Sequence, residues 1–240
     1  MDPADFELVT SNLEEESRTR EHLQDAINAY ERKIRAMVGI LNKIHSNPNP
    51  GLLITIQPLL DDTHENLAAI AASVKPNEYW RVKDMWARPL QQAVFVVALC
   101  EWLTSGTLIT MTNTGSRLGI QAAWADRLVL STEDYLHGVI TLINELSRLA
   151  VNSVTMGGYD MPFKISSFVK DLHAGFSMLN LKNDALRRRF DSIKYDVKRI
   201  EEVVYDISLR QLHGSVSEKG ELITEPRRDG GLVDKPTSAL

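Results

Sequence analysis

Residues 131–154, with the sequence STEDYLHGVITLINELSRLAVNSV, give the clearest indication of how this chain folds. Ser131 stands three residues before Asp134, a pattern typical of a helix N-terminus, and apolar residues then recur at helical spacing. They are Tyr135, Leu136, Val139, Ile140, Leu142, Ile143, Leu146, Leu149, Ala150, Val151 and Val154. At about 100° per residue they cover an arc of roughly 200°, which is wider than the stripe of a surface helix. The stretch therefore predicts a central helix that is buried between several neighbours.

The remaining positions of this helix form a polar strip, which we call the polar seam. It consists of His137, Thr141, Asn144, Glu145, Arg148 and Asn152, which fall within about 100° of one another. Polar groups on a core helix must be hydrogen-bonded, paired or hydrated. In the interpretation we favour, Glu145 pairs with Arg148 at i, i+3 or the seam bonds to neighbouring helices. In the other, the seam lines a water-filled cavity where carboxylates could hold a metal or meet a polyanion.

The composition is typical of a globular protein rather than a disordered chain. The 240 residues are 43% hydrophobic and 25% charged, and this length suits one large domain or two small ones. A net charge of -5 argues against polyanion binding over the whole surface, so any nucleic-acid site must be a local basic patch. Cys100 is the only cysteine, which excludes an internal disulfide and favours a reducing compartment. We expect neither a secretory signal nor a membrane span.

Helical periodicity continues along the rest of the chain, and period-two alternation is missing from the sequence. The pattern predicts an all-α fold of six or seven helices, with helices over residues 5–44, 52–74, 77–102 and 165–179 besides the central one. Pro58 suggests that the regular part of the second helix starts there, and Pro89 predicts a kink or break in the third. Between the third helix and the central helix, residues 114–116 resemble a turn, and we expect Trp124 to anchor a short helix or loop to the core.

The C-terminal part combines a heptad pattern with a tail of different composition. Leu186, Phe190, Ile193, Val197, Ile200, Val204 and Ile207 alternate steps of four and three. Antiparallel packing inside a bundle and a dimerising coiled coil explain this pattern equally well. Beyond Leu212 the chain is rich in glycine, proline and charge, so we expect one domain over residues 1–212 and a disordered tail over 213–240.

The start of the third helix is the best candidate for a nucleic-acid site. It places Arg81, Lys83 and Arg88 among the aromatic residues Tyr79, Trp80 and Trp86. Cationic side chains neutralise phosphates and aromatic faces stack on unpaired bases, although Trp80 and Trp86 at such positions are more often core residues. A second cluster comprises Lys182, Arg187, Arg188, Arg189, Lys194, Lys198 and Arg199. We interpret it as a solvated helix face that is balanced by Glu201 and Glu202.

Evidence for enzyme chemistry is thin. The chain has no Cys-x-x-Cys or His-Glu-x-x-His arrangement and no phosphate-binding glycine loop with the required lysine. A metal-dependent nuclease gathers several carboxylates around its ions, whereas Glu145 is the only acid in the polar seam. We therefore expect no metal site and no cofactor.

Several short runs resemble the translin family. They are Leu146-Ser147-Arg148-Leu149, Val151-Asn152-Ser153-Val154-Thr155, Leu179-Asn180-Leu181-Lys182-Asn183, Lys194-Tyr195-Asp196-Val197-Lys198 and Glu201-Glu202-Val203-Val204-Tyr205-Asp206. The resemblance implies a seven-helix fold that assembles into a hollow octamer, alone or with the related subunit Trax, in the cytoplasm and nucleus. Members bind single-stranded RNA and DNA. The mixed complex is an endoribonuclease that acts in small-RNA and tRNA processing.

The resemblance also assigns the catalytic residues of that complex to Trax. Its carboxylates correspond to Arg88, Gln91, Thr141 and Glu145 here, so three of the four acids are missing. We therefore expect a non-catalytic scaffold of the translin branch, with Arg81, Lys83 and Arg88 as the nucleic-acid-binding residues. Of the basic residues that the family carries in this segment, Arg81 is retained, while Met85 and Ala87 replace others.

Two alternatives to the scaffold stay open. One is a weak, autonomous endoribonuclease that uses Glu145 and Mg²⁺. The other is a helical interaction protein whose heptad pattern recruits partners and which has no affinity for nucleic acid.

Overall fold

A computed structural model describes residues 3–46, 51–182 and 184–210, and within these ranges the fold is all-α, as predicted. Nine α-helices follow one another in the described part of the chain: α1 Pro3–Leu41, α2 Gly51–Asp61, α3 Thr63–Ser73, α4 Tyr79–Val82, α5 Asp84–Ser105, α6 Met111–Arg117, α7 Thr132–Thr155, α8 Met161–Ser177 and α9 Ala185–Leu209. Short 3₁₀ helices cover Asn42–His45 and Ala122–Trp124. None of the helices in this part of the chain offers an apolar stretch long enough to cross a bilayer. The predicted tail over 213–240 lies outside the described residues.

Pro58 does not start the second helix, and Pro89 does not break the third. Pro58 lies inside α2 rather than at its start, and α5 runs through Pro89 without ending there. The second predicted helix divides at Asp62, whose carbonyl and carboxylate both accept from the Lys33 ammonium, at 2.9 Å and 2.7 Å. The third divides at Lys83, which keeps right-handed helical angles between α4 and α5. These two divisions raise the number of helices above the predicted six or seven.

The region between α5 and α7 contains more helix than we predicted. Residues 114–116 lie inside α6 and do not form a turn. Thr110 caps this helix by accepting from the backbone N–H of Asn113, and the buried Thr114 donates to the Thr110 carbonyl. Trp124 packs partly buried against the core from its 3₁₀ helix, as expected.

The central helix is α7, and it is buried as its wide apolar arc predicted. It packs against α5, α8 and α9 and against the 3₁₀ helix after α1. Gly138 allows the close approach of α5, because a Cβ at this position would lie 2.4 Å from Cγ1 of Val94. Ser131 caps α7, and its hydroxyl accepts from the backbone N–H of Asp134 at 3.1 Å.

The heptad pattern of α9 is explained by packing within the chain. Leu186, Ile193, Ile200 and Ile207 are buried. Contacts such as Thr141 with Arg189 and Asn144 with Asp196 advance together along both helices, so α9 runs parallel to α7. It runs antiparallel to α8, where Phe176 stacks on Phe190 and Lys170 pairs with Glu201. Only the α8 packing therefore has the antiparallel orientation we considered.

The first half of α1 extends away from the rest of the bundle. Its side chains from residue 6 to residue 22 are exposed except for Thr19, and its first core residue is Leu23. Phe6, Val9 and Leu13 are uncovered apolar residues on this segment. From Leu23 onward α1 packs on α3 and α5.

Candidate functional site

The predicted nucleic-acid-binding residues lie along the α4–α5 stretch and reach solvent. We refer to Arg81, Lys83 and Arg88 together as the basic surface. Arg81 lies in α4, Lys83 joins the two helices and Arg88 lies in the second turn of α5. The side chains of Arg81 and Arg88 are exposed and that of Lys83 is half-buried. Among the described residues, no carboxylate lies within ion-pair distance of Arg88.

Arg81 is engaged by the extended half of α1. Its guanidinium lies 2.7 Å from a carboxylate oxygen of Glu16 and 3.7 Å from one of Glu78. The hydrogen bond and the charge of Arg81 lower the pKa of Glu16, and the same contact raises the pKa of Arg81. Both side chains are more than half exposed, so water and salt screen this pair.

A groove lies beside this ion pair, between α1 and the segment from α3 to α4. It has a volume of about 340 Å³ and is lined by α1, by the end of α3 and by α4. Lys75 on its rim pairs with Glu15 of α1 at 3.4 Å. Two acidic residues of α1 therefore meet two cations of the α3–α4 segment, and all four remain accessible to a polyanion.

The aromatic residues of this segment divide between core and surface. Trp86 and Tyr79 are buried, with ring centroids 6.2 Å apart. Trp80 is 76% exposed, and the Lys83 ammonium lies 4.9 Å from its ring centroid. The expectation that both tryptophans belong to the core is therefore correct for Trp86 and wrong for Trp80.

The polar groups of the seam are hydrogen-bonded to residues of the same chain. Oε1 of Glu145 accepts from Nε2 of His45 at 2.6 Å, and its other oxygen accepts from Arg148 at 3.0 Å. Nδ2 of Asn152 lies 3.0 Å from Nδ1 of the same histidine. The ring of His45, which follows α1, is thus fixed between two residues of α7. This agrees with the interpretation that we favoured for Glu145 and Arg148.

The other half of the polar seam is bonded to α9. Asn144 donates to the Asp196 carboxylate at 2.6 Å, and Arg189 donates to Thr141 at 2.8 Å. A second nitrogen of Arg189 lies 3.1 Å from Nδ1 of His137. Burial and the neighbouring Arg189 cation lower the pKa of His137, and burial lowers the pKa of Arg189. A neutral His137 can therefore accept from the guanidinium.

These contacts leave a poor environment for a metal ion. Of the four positions where the resemblance implies acids in Trax, Thr141 and Glu145 are engaged as described, and Gln91 donates to Asp134 at 2.9 Å. No group of three or more His, Cys, Asp or Glu in the described residues is arranged to hold a metal. Glu145, our candidate catalytic residue, therefore lacks the additional carboxylates that a Mg²⁺ site requires.

The second basic cluster is mainly a solvated helix face, as we interpreted it, although among the described residues Glu201 pairs with Lys170 of α8 and not with this cluster. Arg187 pairs with Asp191 at 3.0 Å and Lys198 with Glu202 at 3.8 Å, both one helical turn apart. Arg189 is the exception, because it turns toward the polar seam.

Four partners of the site residues could not be predicted from the sequence, namely Glu16, His45, Asp196 and Arg189. The partners in the polar seam lie 48 to 107 residues from the groups they bond. Glu16 belongs to α1, whereas Arg81 belongs to α4. No local spacing reveals contacts between such distant positions.

Comparison with known proteins agrees with this fold. A family model described as the Translin family matches residues 18–211. The chain belongs to the translin family. Translin from Gallus gallus is 37% identical over 212 residues, which cover 87% of this chain and 93% of that protein. Translin from Homo sapiens is 37% identical over 202 residues, which cover 82% and 89%.

Trax and the C3PO structures are less similar in sequence to this translin-family chain. Translin-associated protein X from Rattus norvegicus is 23% identical over 227 residues, which cover 85% of this chain and 78% of that protein. The chain thus resembles the translins more closely than this Trax. Apo-NeC3PO has a TM-score of 0.61 at 16% identity, covering 85% and 97% of the two chains. The complex of AfC3PO with duplex RNA has a TM-score of 0.64 at 16% identity, covering 87% and 99%. At this identity the C3PO structures show a shared fold.

Proposed function

We propose that this translin-family chain is a scaffold subunit that binds single-stranded RNA and DNA through the basic surface. The observation that carries the proposal is the placement of three cations along one helical stretch, with Arg81 and Arg88 exposed and Lys83 half-buried. Lysine and arginine bind nucleic acid by neutralising phosphates and releasing counterions, which does not depend on base sequence. Because the chain carries a net charge of -5, this affinity must be local.

The contacts of Arg81 are compatible with exchange for a phosphate. Its partner Glu16 is 55% exposed, and exposed ion pairs contribute little to stability. A phosphate offers the same charge and more acceptor oxygens than a carboxylate, and the guanidinium fork suits both. Arg88 needs no exchange, since no ion-pair partner holds it within the described ranges.

We further propose that the chain is non-catalytic and needs no cofactor of its own. Its acid in the polar seam, Glu145, is bonded to His45 and Arg148. In this proposal a Trax-like subunit supplies the nuclease carboxylates, and the joint complex acts in small-RNA and tRNA processing in the cytoplasm and nucleus. The likeness to translins and to Trax supports the partnership, and the AfC3PO complex with duplex RNA supports contact with nucleic acid in this fold.

We also propose that copies of the chain assemble into a hollow octamer. Uncovered apolar side chains support assembly: Phe6, Val9 and Leu13 on α1, and Tyr205 and Leu209 on α9. Apolar groups of this size gain stability when a partner removes them from water. Repeating the basic surface around one particle would add many weak phosphate contacts through multivalency.

The test of the binding proposal is the double variant Arg81→Glu with Arg88→Glu. We expect weaker binding of single-stranded oligonucleotides. We also expect the slope of log affinity against log salt to become shallower by about 1.4, because two phosphates of the single strand are no longer neutralised. Fluorescence anisotropy at several salt concentrations measures both quantities.

A charge-matched control is Arg35→Glu with Lys43→Glu. Arg35 lies roughly 28 Å beyond Glu16 along α1, at 1.5 Å per residue, and Lys43 follows it. The control should retain most of the affinity and the slope. An unchanged slope in the Arg81 and Arg88 variant would refute the proposed site. Size-exclusion chromatography with light scattering, with and without an oligonucleotide, tests the assembly.

A further inference from the structure

Trp80 differs from the other tryptophans of the chain in its exposure. Trp86 and Trp102 are buried and Trp124 is partly buried, whereas Trp80 is 76% exposed. A large indole ring is normally removed from water, or else it contacts a ligand or partner. Trp80 therefore needs an explanation that its neighbours do not.

The ring of Trp80 is held in place although it is exposed. The buried Tyr79 meets it edge to face, with centroids 5.0 Å apart and an interplanar angle of 75°. Tyr79 in turn contacts the buried Trp86. This chain of three aromatic rings connects the exposed indole to the core, which lowers the side-chain entropy that a ligand must overcome on binding.

One cation lies over this ring. The Lys83 ammonium lies 4.9 Å from the ring centroid, and Arg81 is the next residue in sequence. An exposed cation–π contact contributes little, so the ammonium is free to move to a phosphate while a base takes up part of the ring surface. With 76% of the residue reaching solvent, the ring has room for a base beside Lys83.

We propose that Trp80 is the base-stacking residue of this surface and gives it a preference for unpaired nucleic acid. The inference rests on the proposed function and adds a specificity determinant to it. Bases of a single strand expose their faces and can stack on an indole, whereas bases of a duplex are already stacked on one another. Phosphate contacts alone do not make this distinction.

The test compares wild-type chain with Trp80→Ala and Trp80→Phe on three probes. The probes are oligo-thymidine, an abasic oligomer of the same length and a duplex. We expect Trp80→Ala to weaken binding of oligo-thymidine roughly tenfold, and Trp80→Phe to keep most of the affinity. Binding of the abasic oligomer and the salt slope should not change, because no charge is removed. Met178→Ala removes another highly exposed apolar side chain, 84% exposed, and should have no effect.

The outcomes separate this inference from the proposed function. Binding of the abasic oligomer by wild-type chain, with a steep salt slope, would support the basic surface. If Trp80→Ala then binds oligo-thymidine as tightly as wild type does, the stacking role is refuted. Equal losses on oligo-thymidine and the abasic oligomer also refute it. A change in particle mass for Trp80→Ala, measured by light scattering, would mean that the ring contacts another copy instead. If wild type binds none of the probes, both proposals fail.

Discussion

Arg81 and Arg189 are both arginines on helices of one bundle, and their surroundings differ in every respect that matters for binding. Arg81 is exposed and faces the carboxylate of a helix segment that extends away from the bundle. Arg189 is half-buried and donates to Thr141 and His137, which are neutral groups of α7. Burial lowers the pKa of Arg189, whereas the ion pair with Glu16 raises the pKa of Arg81.

The same contrast extends to the whole basic surface and the whole polar seam. The basic surface offers charges whose present partners are solvated and exchangeable. The polar seam is rich in polar groups too, but each described contact is made by a fixed residue of α7 itself, of the 3₁₀ helix after α1 or of α9. Accessibility and the nature of the present partner, rather than residue type, therefore separate a binding region from a structural one.

The largest effect is expected for loss of the Glu145 carboxylate. Glu145→Ala removes the bonds to His45 and Arg148 and leaves the buried imidazole without its acceptor. Hydrogen bonds to charged groups contribute about 1.5 to 3 kcal/mol, so we expect the free energy of unfolding to fall by about 2 to 3 kcal/mol. Urea denaturation measures this. Affinity for single-stranded oligonucleotides should stay at the wild-type value.

Glu202→Ala is the control for that variant, because Glu202 is 66% exposed and pairs only loosely with Lys198. It should leave stability nearly unchanged. A catalytic role for Glu145 would appear in a cleavage assay with labelled single-stranded RNA and Mg²⁺. The wild-type chain would cleave the RNA, and the Glu145→Gln variant would not. That result would support the autonomous nuclease and contradict our assignment of the polar seam.

A smaller effect concerns the pH dependence of stability. The pKa of His137 lies below 6.5 in the folded chain, because of burial and Arg189, with Glu133, Asp134 and Asp184 acting weakly in the opposite direction. The unfolded state therefore binds the proton more readily. Stability from this group is complete above about pH 6.5 and is lost as the pH falls through the lower, folded pKa.

The variant His137→Asn should flatten that part of the stability profile. Chemical denaturation between neutral and mildly acidic pH measures it, and His22→Asn, at an exposed position of α1, is the control. An identical acid slope in wild type and His137→Asn would show that the histidine is not held neutral by the bundle.

The smallest effect is expected for loss of the Glu16 carboxylate, which pairs with Arg81 of the basic surface. Glu16→Gln removes the carboxylate that competes with phosphate for Arg81. Since exposed pairs are weak, we expect affinity for single-stranded DNA to rise about two- to threefold at low salt. Glu14→Gln makes the same change of charge but affects only Arg18 within α1. Equal gains in both variants would show that overall charge, and not release of Arg81, is responsible.

The sequence was sufficient for features that depend on local spacing. The buried arc of α7, the apolar pattern of α9 and the helical cap at Ser131 all follow from residues within a few turns of one another. It was insufficient where distant partners decide. Lys33 bonds to Asp62 at the junction of α2 and α3, His45 and Arg189 fill the polar seam, and Glu16 engages Arg81. Nothing near Trp80 in the sequence distinguishes its exposure from the burial of Trp86.

The parallel course of α7 and α9 has a consequence for how the domain can be divided. In sequence, α8 lies between α7 and α9 and runs in the opposite direction to both. The chain therefore reverses direction twice before α9 reaches the polar seam. A polypeptide that stopped after α8 would leave Thr141 and Asn144 without Arg189 and Asp196, and would uncover the apolar residues against which Ile193 and Ile200 pack. We therefore expect a truncation after α8 to destabilise α7 and α8 as well as to remove α9.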